Sequence, residues 1–177
     1  MQAAWLSCVA VFIDKITDFL GHAIKWLTLL MVVLTFVIVT LRYGFNIGYI
    51  AMQESVLYLH ATVIMLGAAY TFKEDGHVRV DIFYQKFTDK QKALVNAGGV
   101  LLLLIPVCLF FFIISLDYVV SSWSIMEKSS EAGGLPLVFV NKTLLLLLPI
   151  TLLMQGLSQL CKDIQILSYK NETREVA

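Results

Sequence analysis

The sequence predicts an all-α integral membrane protein with four transmembrane helices in two antiparallel hairpins. Hydrophobic residues fill 59% of the 177 positions and charged residues only 15%, and the mean hydropathy is +0.81. This composition excludes an ordinary soluble domain. Four apolar stretches are long enough to cross hydrocarbon, which takes about 20 helical residues. The net charge is zero and no basic cluster is present, so the chain is not expected to bind nucleic acid.

The four spans are separated by links of unequal length. Residues 44–49 alone join the first two spans, so these helices should run antiparallel as a hairpin. Gly44 and Gly76 follow the first and second spans, where glycine commonly ends a helix in the left-handed conformation. Pro106 and Pro149 lie inside the third and fourth spans and predict kinks. The predicted spans cover residues 23–43, 50–72, 93–116 and 138–161.

Two further helices are expected outside the spans. Residues 3–20 place apolar side chains at spacings of three and four, which predicts an amphipathic helix in the membrane interface. A signal peptide is the alternative for this segment. Residues 82–87 predict a shorter interfacial helix, and Thr88 with Gln91 forms the T-x-x-Q pattern of a capping box, which predicts a new helix start. Residues 162–177 are expected to form a polar tail that frays.

Basic residues are distributed unevenly between the two sides of the predicted spans. Ten of the 13 Lys and Arg residues lie before the first span, between the second and third, or after the fourth, and three lie on the opposite side. By the positive-inside rule, both termini are expected in the cytoplasm.

The sequence contains no motif that indicates an enzyme or a metal site. It has no Gly-rich phosphate loop and no nucleophile motif. Cys8, Cys108 and Cys161 lie in apolar stretches without metal-ligand spacing. A membrane haem would need histidines at one depth on facing helices, and the third and fourth spans contain none. No catalytic activity and no cofactor are therefore expected.

Glu54 and His60 are polar residues inside the second span. Glu54 lies roughly 7 Å from the start of its helix, at 1.5 Å per residue, and Arg42 lies at a similar depth on the first span. An ion pair between them is expected, with a partner protein or a transported ion as the alternative contact of Glu54. His60 is expected to make an interhelical hydrogen bond. The two residues project about 120 degrees apart, so one face can pack on this chain and the other on a foreign subunit.

The segment HVRVD follows the second span and places His77, Arg79 and Asp81 at alternate positions just below the membrane. In one interpretation His77 and Arg79 contact lipid head groups while Asp81 caps the next helix. In the other, the turn docks onto another membrane protein.

The run from Leu41 to Phe87 resembles the DctQ-like small membrane subunit of tripartite ATP-independent periplasmic (TRAP) transporters. In that family an Arg-Tyr pair ends the first span, a glutamate lies early in the second, and an H-[VI]-R-[VI]-D motif follows. Arg42, Tyr43, Glu54 and the HVRVD segment occupy these places. The later segment GGLPLVFVNKTLLLLLPITLLMQGL resembles the entry to the family's last helix, and the resemblance covers about residues 15–161.

The resemblance implies a small accessory subunit of a sodium-coupled transporter for organic anions, typically carboxylates, in the bacterial inner membrane. Such a subunit braces a large DctM-like permease subunit among the membrane lipids, and works with a periplasmic substrate-binding protein that it helps to dock. An alternative is a self-sufficient homo-oligomeric transporter or channel with Glu54 as its ion site, and a redox anchor is a third. Candidate residues for partner contacts or structure are Arg42, Glu54, His60, His77, Arg79 and Asp81.

Overall fold

The computed structural model describes residues 2–77 and 84–175, with side chains described for residues 5–77 and 84–168. The regular structure in these residues is helical, and four helical stretches within them are long and apolar enough to cross a membrane. The predicted class, an all-α multi-pass membrane protein, is therefore confirmed. The elements are α1 (Gln2–Phe45), α2 (Ile50–Lys73), α3 (Asp89–Gly99), a π-helical segment (Val100–Leu104), α4 (Ile105–Ser124) and α5 (Val138–Glu175).

Helix α1 is a single helix of 44 residues where two helices were predicted. The expected break between the interfacial helix 3–20 and the first span does not occur. Gly21 costs about 1 kcal/mol of helix propensity relative to alanine, which is too little to end a helix that is packed on both sides of it. Instead, Gly21 makes room for α2, because a Cβ atom there would lie 2.3 Å from Cδ2 of Tyr70. The helix is about 66 Å long at 1.5 Å per residue, roughly twice the thickness of the hydrocarbon.

The ends of α1 and α2 use left-handed residues other than the predicted glycines. Asp75 has a φ of 55°, and the Gly76 N–H donates to the carbonyl of Thr71 at 2.9 Å, which is the Schellman pattern. At the end of α1, Asn46 has a φ of 55°. The predictions that Gly44 and Gly76 take this conformation were wrong, since Asn and Asp tolerate it through local hydrogen bonds of their short side chains.

The third span begins as the capping box predicts. The Gln91 N–H donates to Oγ1 of Thr88 at 3.4 Å, and the Thr88 N–H donates to Oε1 of Gln91 at 2.9 Å. The π-helical segment ends two residues before Pro106. Proline has no N–H for the carbonyl four residues earlier, and a π-helical turn is one of the usual ways in which a helix adjusts to such a disruption.

Helix α5 is the centre of the bundle, because it contacts each of α1, α2, α3 and α4. The consecutive pairs α1–α2 and α4–α5 also pack together, but α5 packs on α1 and α2 as well, so the description as two hairpins stays a prediction. Beyond residue 161, where a polar tail was expected, α5 continues to Glu175. The predicted helix 82–87 lies partly outside the described residues, and in its described part the Phe87 N–H donates to the Tyr84 carbonyl at 3.1 Å in a turn.

Candidate functional site

Glu54 ties the start of α2 to the loop between α4 and α5. Its carboxylate accepts a hydrogen bond from the Ser129 hydroxyl on Oε1 and one from the Leu135 N–H on Oε2, the latter at 2.6 Å. Gly134 leaves space for the Glu54 carboxylate, because a Cβ atom at residue 134 would lie 2.9 Å from Oε1 of Glu54. The Ser129 N–H also donates to the Leu135 carbonyl at 3.1 Å. We call Glu54, Ser129 and Leu135 the loop clamp.

The predicted ion pair between Arg42 and Glu54 is not formed. Among residues 5–77 and 84–168, no carboxylate lies within ion-pair distance of Arg42, whose side chain is exposed. The two oxygens of Glu54 are turned to the loop instead. The loop supplies two donors to the Glu54 carboxylate, the Ser129 hydroxyl and the Leu135 N–H, in place of the guanidinium of Arg42.

A second set of contacts joins both this loop and the end of α4 to α5. Nζ of Lys142 lies 2.5 Å from Oε2 of Glu127 and 4.0 Å from the centroid of the Tyr118 ring. Nε1 of Trp123 donates to the Thr143 hydroxyl at 2.9 Å. The hydrogen bond from Lys142 lowers the pKa of Glu127, so this carboxylate stays ionised and paired at neutral pH.

Polar side chains join α1 to α5 at the other end of the bundle. Thr17 donates to Oε1 of Gln155 at 2.8 Å, and Gln155 donates to Asp14 at 3.2 Å. Asp14 also accepts from Ser158 at 2.7 Å and lies 2.7 Å from Nζ of Lys162. Gln155 and Ser158 are fully buried. We call these five residues the polar network, and it satisfies groups that lie away from water and lipid.

The spacing of polar residues in the first and last helices indicates the polar network, although our prediction did not use it. Gln155, Ser158 and Lys162 follow one another at spacings of three and four in α5. Asp14 and Thr17 are three residues apart in the first half of α1. Each set therefore lies on one helix face. A further ion pair, between Lys73 at the end of α2 and Asp18 of α1 at 2.5 Å, was also missed.

His60 lies in the middle of α2 and is exposed. The interhelical hydrogen bond that we expected is not made within the described part of the chain, where no hydrogen-bond partner of the imidazole is found. His77 is also exposed, and its ring centroid lies 6.2 Å from that of Phe72. Arg79 and Asp81 lie outside the described residues, so the two interpretations of the HVRVD segment stay open.

An apolar cavity of about 770 Å³ lies between the end of α2, the third span and α5. Leu103, Val107 and Leu152 line it, and Lys73 and Asn96 add polar groups. Among the described residues, no group of three or more His, Cys, Asp or Glu side chains could hold a metal ion. The three cysteines are free thiols.

Comparison with known proteins assigns the family. The family model described as the DctQ component of tripartite ATP-independent periplasmic transporters matches residues 31–166. The chain is 29% identical over 124 residues to the C4-dicarboxylate TRAP transporter small permease protein DctQ of Vibrio cholerae serotype O1, a match that covers 70% of this chain and 49% of the relative. It is 35% identical over 88 residues to the "Putative TRAP transporter small permease protein" of Haemophilus influenzae, covering 50% and 53%.

The chain thus spans about half the length of the curated relatives it matches. No solved structure matches it. The family match begins inside α1 and ends inside α5, so it includes the loop clamp, the whole third span and the α5 residues Gln155, Ser158 and Lys162 of the polar network. The chain belongs to the family of DctQ components of tripartite ATP-independent periplasmic transporters.

Proposed function

We propose that this chain is the small accessory subunit of a sodium-coupled TRAP transporter for organic anions. It braces a large permease subunit and helps to dock a periplasmic substrate-binding protein. The observation that carries this proposal is the family match over residues 31–166. A carboxylate is the favoured substrate class because the Vibrio cholerae relative is named for C4-dicarboxylates.

The contacts of the polar side chains support a bracing role over ion transport by this chain alone. Both oxygens of Glu54 accept hydrogen bonds from the chain's own loop. A cation would have to compete with these two donors for the carboxylate. Gln155 and Ser158 are fully buried between helices and bonded to Asp14, so they join helices to one another. These contacts disfavour the alternative of a self-sufficient transporter with Glu54 as its ion site.

The distribution of charge supports an orientation with both termini in the cytoplasm, and the family match supports a place in the bacterial inner membrane. The loop of residues 125–137 would then face the periplasm, where it can meet a substrate-binding protein. The loop clamp and the Glu127–Lys142 ion pair hold this loop in one arrangement. A loop that is ordered before binding loses less conformational entropy when a partner docks.

Reconstitution into liposomes tests the proposal. The chain, the large permease subunit of the same organism and the cognate binding protein would be purified and assayed for uptake of radiolabelled C4-dicarboxylates under a sodium gradient. We expect uptake only when all three proteins and the gradient are present. Sodium-driven uptake by this chain alone would reject the accessory role.

A matched variant separates bracing from ion binding. Glu54→Gln keeps one oxygen for the Leu135 N–H and an amide that can donate to the Ser129 hydroxyl, so the shape of the loop clamp is preserved without the charge. We expect the complex with Glu54→Gln to assemble and to retain uptake. An intact complex with no uptake would identify Glu54 as an ion-coupling residue and contradict its structural role.

A further inference from the structure

The surface of α2 carries an ionisable side chain at mid-membrane depth. His60 is ten residues from the start of Ile50–Lys73, about 15 Å along the helix axis. Its side chain is exposed, and no described residue makes a hydrogen bond with it. Hydrocarbon offers no hydrogen-bond partner, and histidines within membrane spans almost always face a protein interior or a water-filled cavity. The exposed imidazole therefore indicates that another protein covers this part of α2.

The residues around His60 form a surface that a helix can approach closely. Leu57 and Ile64 are 64% and 54% exposed. Leu57, His60, Ile64 and Gly67 succeed one another at helical spacings of three and four. A Cβ atom at Gly67 would meet nothing within 4 Å. Small residues at such positions let the backbones of two membrane helices come together. We call Leu57, His60, Ile64 and Gly67 the His60 face.

The other sides of α2 are already occupied within the chain. Tyr70 packs on α1 at Gly21, and Ala69 is 1% exposed where α2 packs in the bundle. Glu54 is engaged in the loop clamp. The sequence predicts two faces on this helix. The face with Glu54 is turned to this chain, and the His60 face is turned away from it.

We propose that the His60 face is the docking surface for a transmembrane helix of the large permease subunit, and that His60 exchanges a hydrogen bond with a polar side chain of that helix. The proposal rests on the accessory function proposed above and names the surface that performs it. A lipid acyl chain could cover Leu57 and Ile64 but could not satisfy the imidazole. A helix with a carboxylate, hydroxyl or amide at the depth of His60 satisfies both parts of the face.

Co-expression with the large permease subunit of the same organism tests the proposal through the affinity of the two purified subunits in detergent. We expect His60→Leu to weaken association by about 3-fold to 20-fold, the range for one hydrogen bond between membrane helices, and His60→Gln to restore part of it. Gly67→Leu should block the close approach more strongly. Gly98→Leu in α3 is the matched control, since a Cβ atom at Gly98 also meets nothing within 4 Å, and should bind as the wild type does.

Folding and docking are measured separately. The melting temperature of the His60→Leu variant, measured without the large subunit, should equal that of the wild type within error, because the side chain is exposed and no described residue makes a hydrogen bond with it. A photo-crosslinking amino acid at position 60 should attach to the large subunit. Cross-linking to a second copy of this chain, or to lipid alone, would overturn the proposal.

Two results distinguish the docking surface from the proposed function. If the wild-type chain binds the large subunit and the variants at positions 60 and 67 bind equally well, the docking surface is wrong while the accessory function stands. If the wild-type chain does not bind the large subunit at all, the accessory function is wrong and the docking surface falls with it.

Discussion

Replacement of Gln155 by leucine tests whether the polar network holds α1 to α5. Gln155 is fully buried, and its amide makes two interhelical hydrogen bonds, to Thr17 at 2.8 Å and to Asp14 at 3.2 Å. Leucine has a similar size, so the change removes these bonds without opening a large cavity. At about 0.6 to 1.7 kcal/mol for each bond between membrane helices, Gln155→Leu should lower the free energy of unfolding by about 1–3 kcal/mol.

Reversible unfolding in mixed detergent micelles, with Gln159→Leu as the matched control, provides the assay. Gln159 lies one turn further along α5 but donates within its own helix, to Asp163 at 3.1 Å, a contact worth about 0.2–0.5 kcal/mol. A double-mutant cycle with Thr17→Val should give a coupling energy of about 0.6–1.7 kcal/mol. Equal losses for Gln155→Leu and Gln159→Leu, with no coupling to Thr17, would refute the reasoning.

Three further predictions concern other contacts. Gly21→Ala should lower the free energy of unfolding by about 1–3 kcal/mol because the new Cβ overlaps the Tyr70 ring, and by less in a Tyr70→Ala background. The Glu127–Lys142 ion pair should contribute fully to stability above the unfolded-state pKa of glutamate, about 4.3. Its contribution should be lost as the pH falls through the lowered folded-state pKa of Glu127. Denaturation curves recorded between about pH 6 and 3 would measure this loss. Glu54→Ala should release residues 125–137 from α2 and speed proteolysis within this loop.

Each of these predictions has a control in the same chain. Gly67→Ala adds a Cβ atom where nothing lies within 4 Å, and a penalty as large as that of Gly21→Ala would contradict the packing argument. Glu127→Gln should remove the part of the pH dependence that comes from this pair, and an unchanged curve would show that the pair contributes nothing. Glu131→Ala changes an exposed carboxylate of the same loop, and should leave its proteolysis at the wild-type rate if Glu54 is the residue that holds it.

Features that depend on neighbouring residues in sequence could be predicted, whereas contacts across the fold could not. The capping box at Thr88 needs only Gln91, three residues away, and it forms as expected. The donors to Glu54 come from Ser129 and Leu135, which are 75 and 81 residues away. Similar depth in the membrane made Arg42 a possible partner of Glu54. Which donors reach the Glu54 carboxylate depends on the path of the loop, which depth does not predict.

The length of α1 was misjudged because polarity was taken as a boundary. Asp14, Thr17 and Asp18 interrupt the apolar pattern, and we assigned them to the polar side of a separate helix at the membrane surface. In the structure they lie within one continuous helix and contact α5 and α2. Polar residues end a hydrophobic stretch without ending a helix, because the backbone hydrogen bonds of the helix do not depend on them.

The polar contacts of α2 explain how a small subunit can present a fixed surface. Near one end, Glu54 is held by the loop clamp, and at the other end Lys73 is paired with Asp18 of α1. Both contacts lie on sides of α2 that face this chain, and the His60 face lies between them along the helix. Fixing a helix at its ends restricts its rotation and sliding, so the free face keeps one orientation. Under the accessory function proposed above, a large subunit that moves during transport could then work against that face without displacing it.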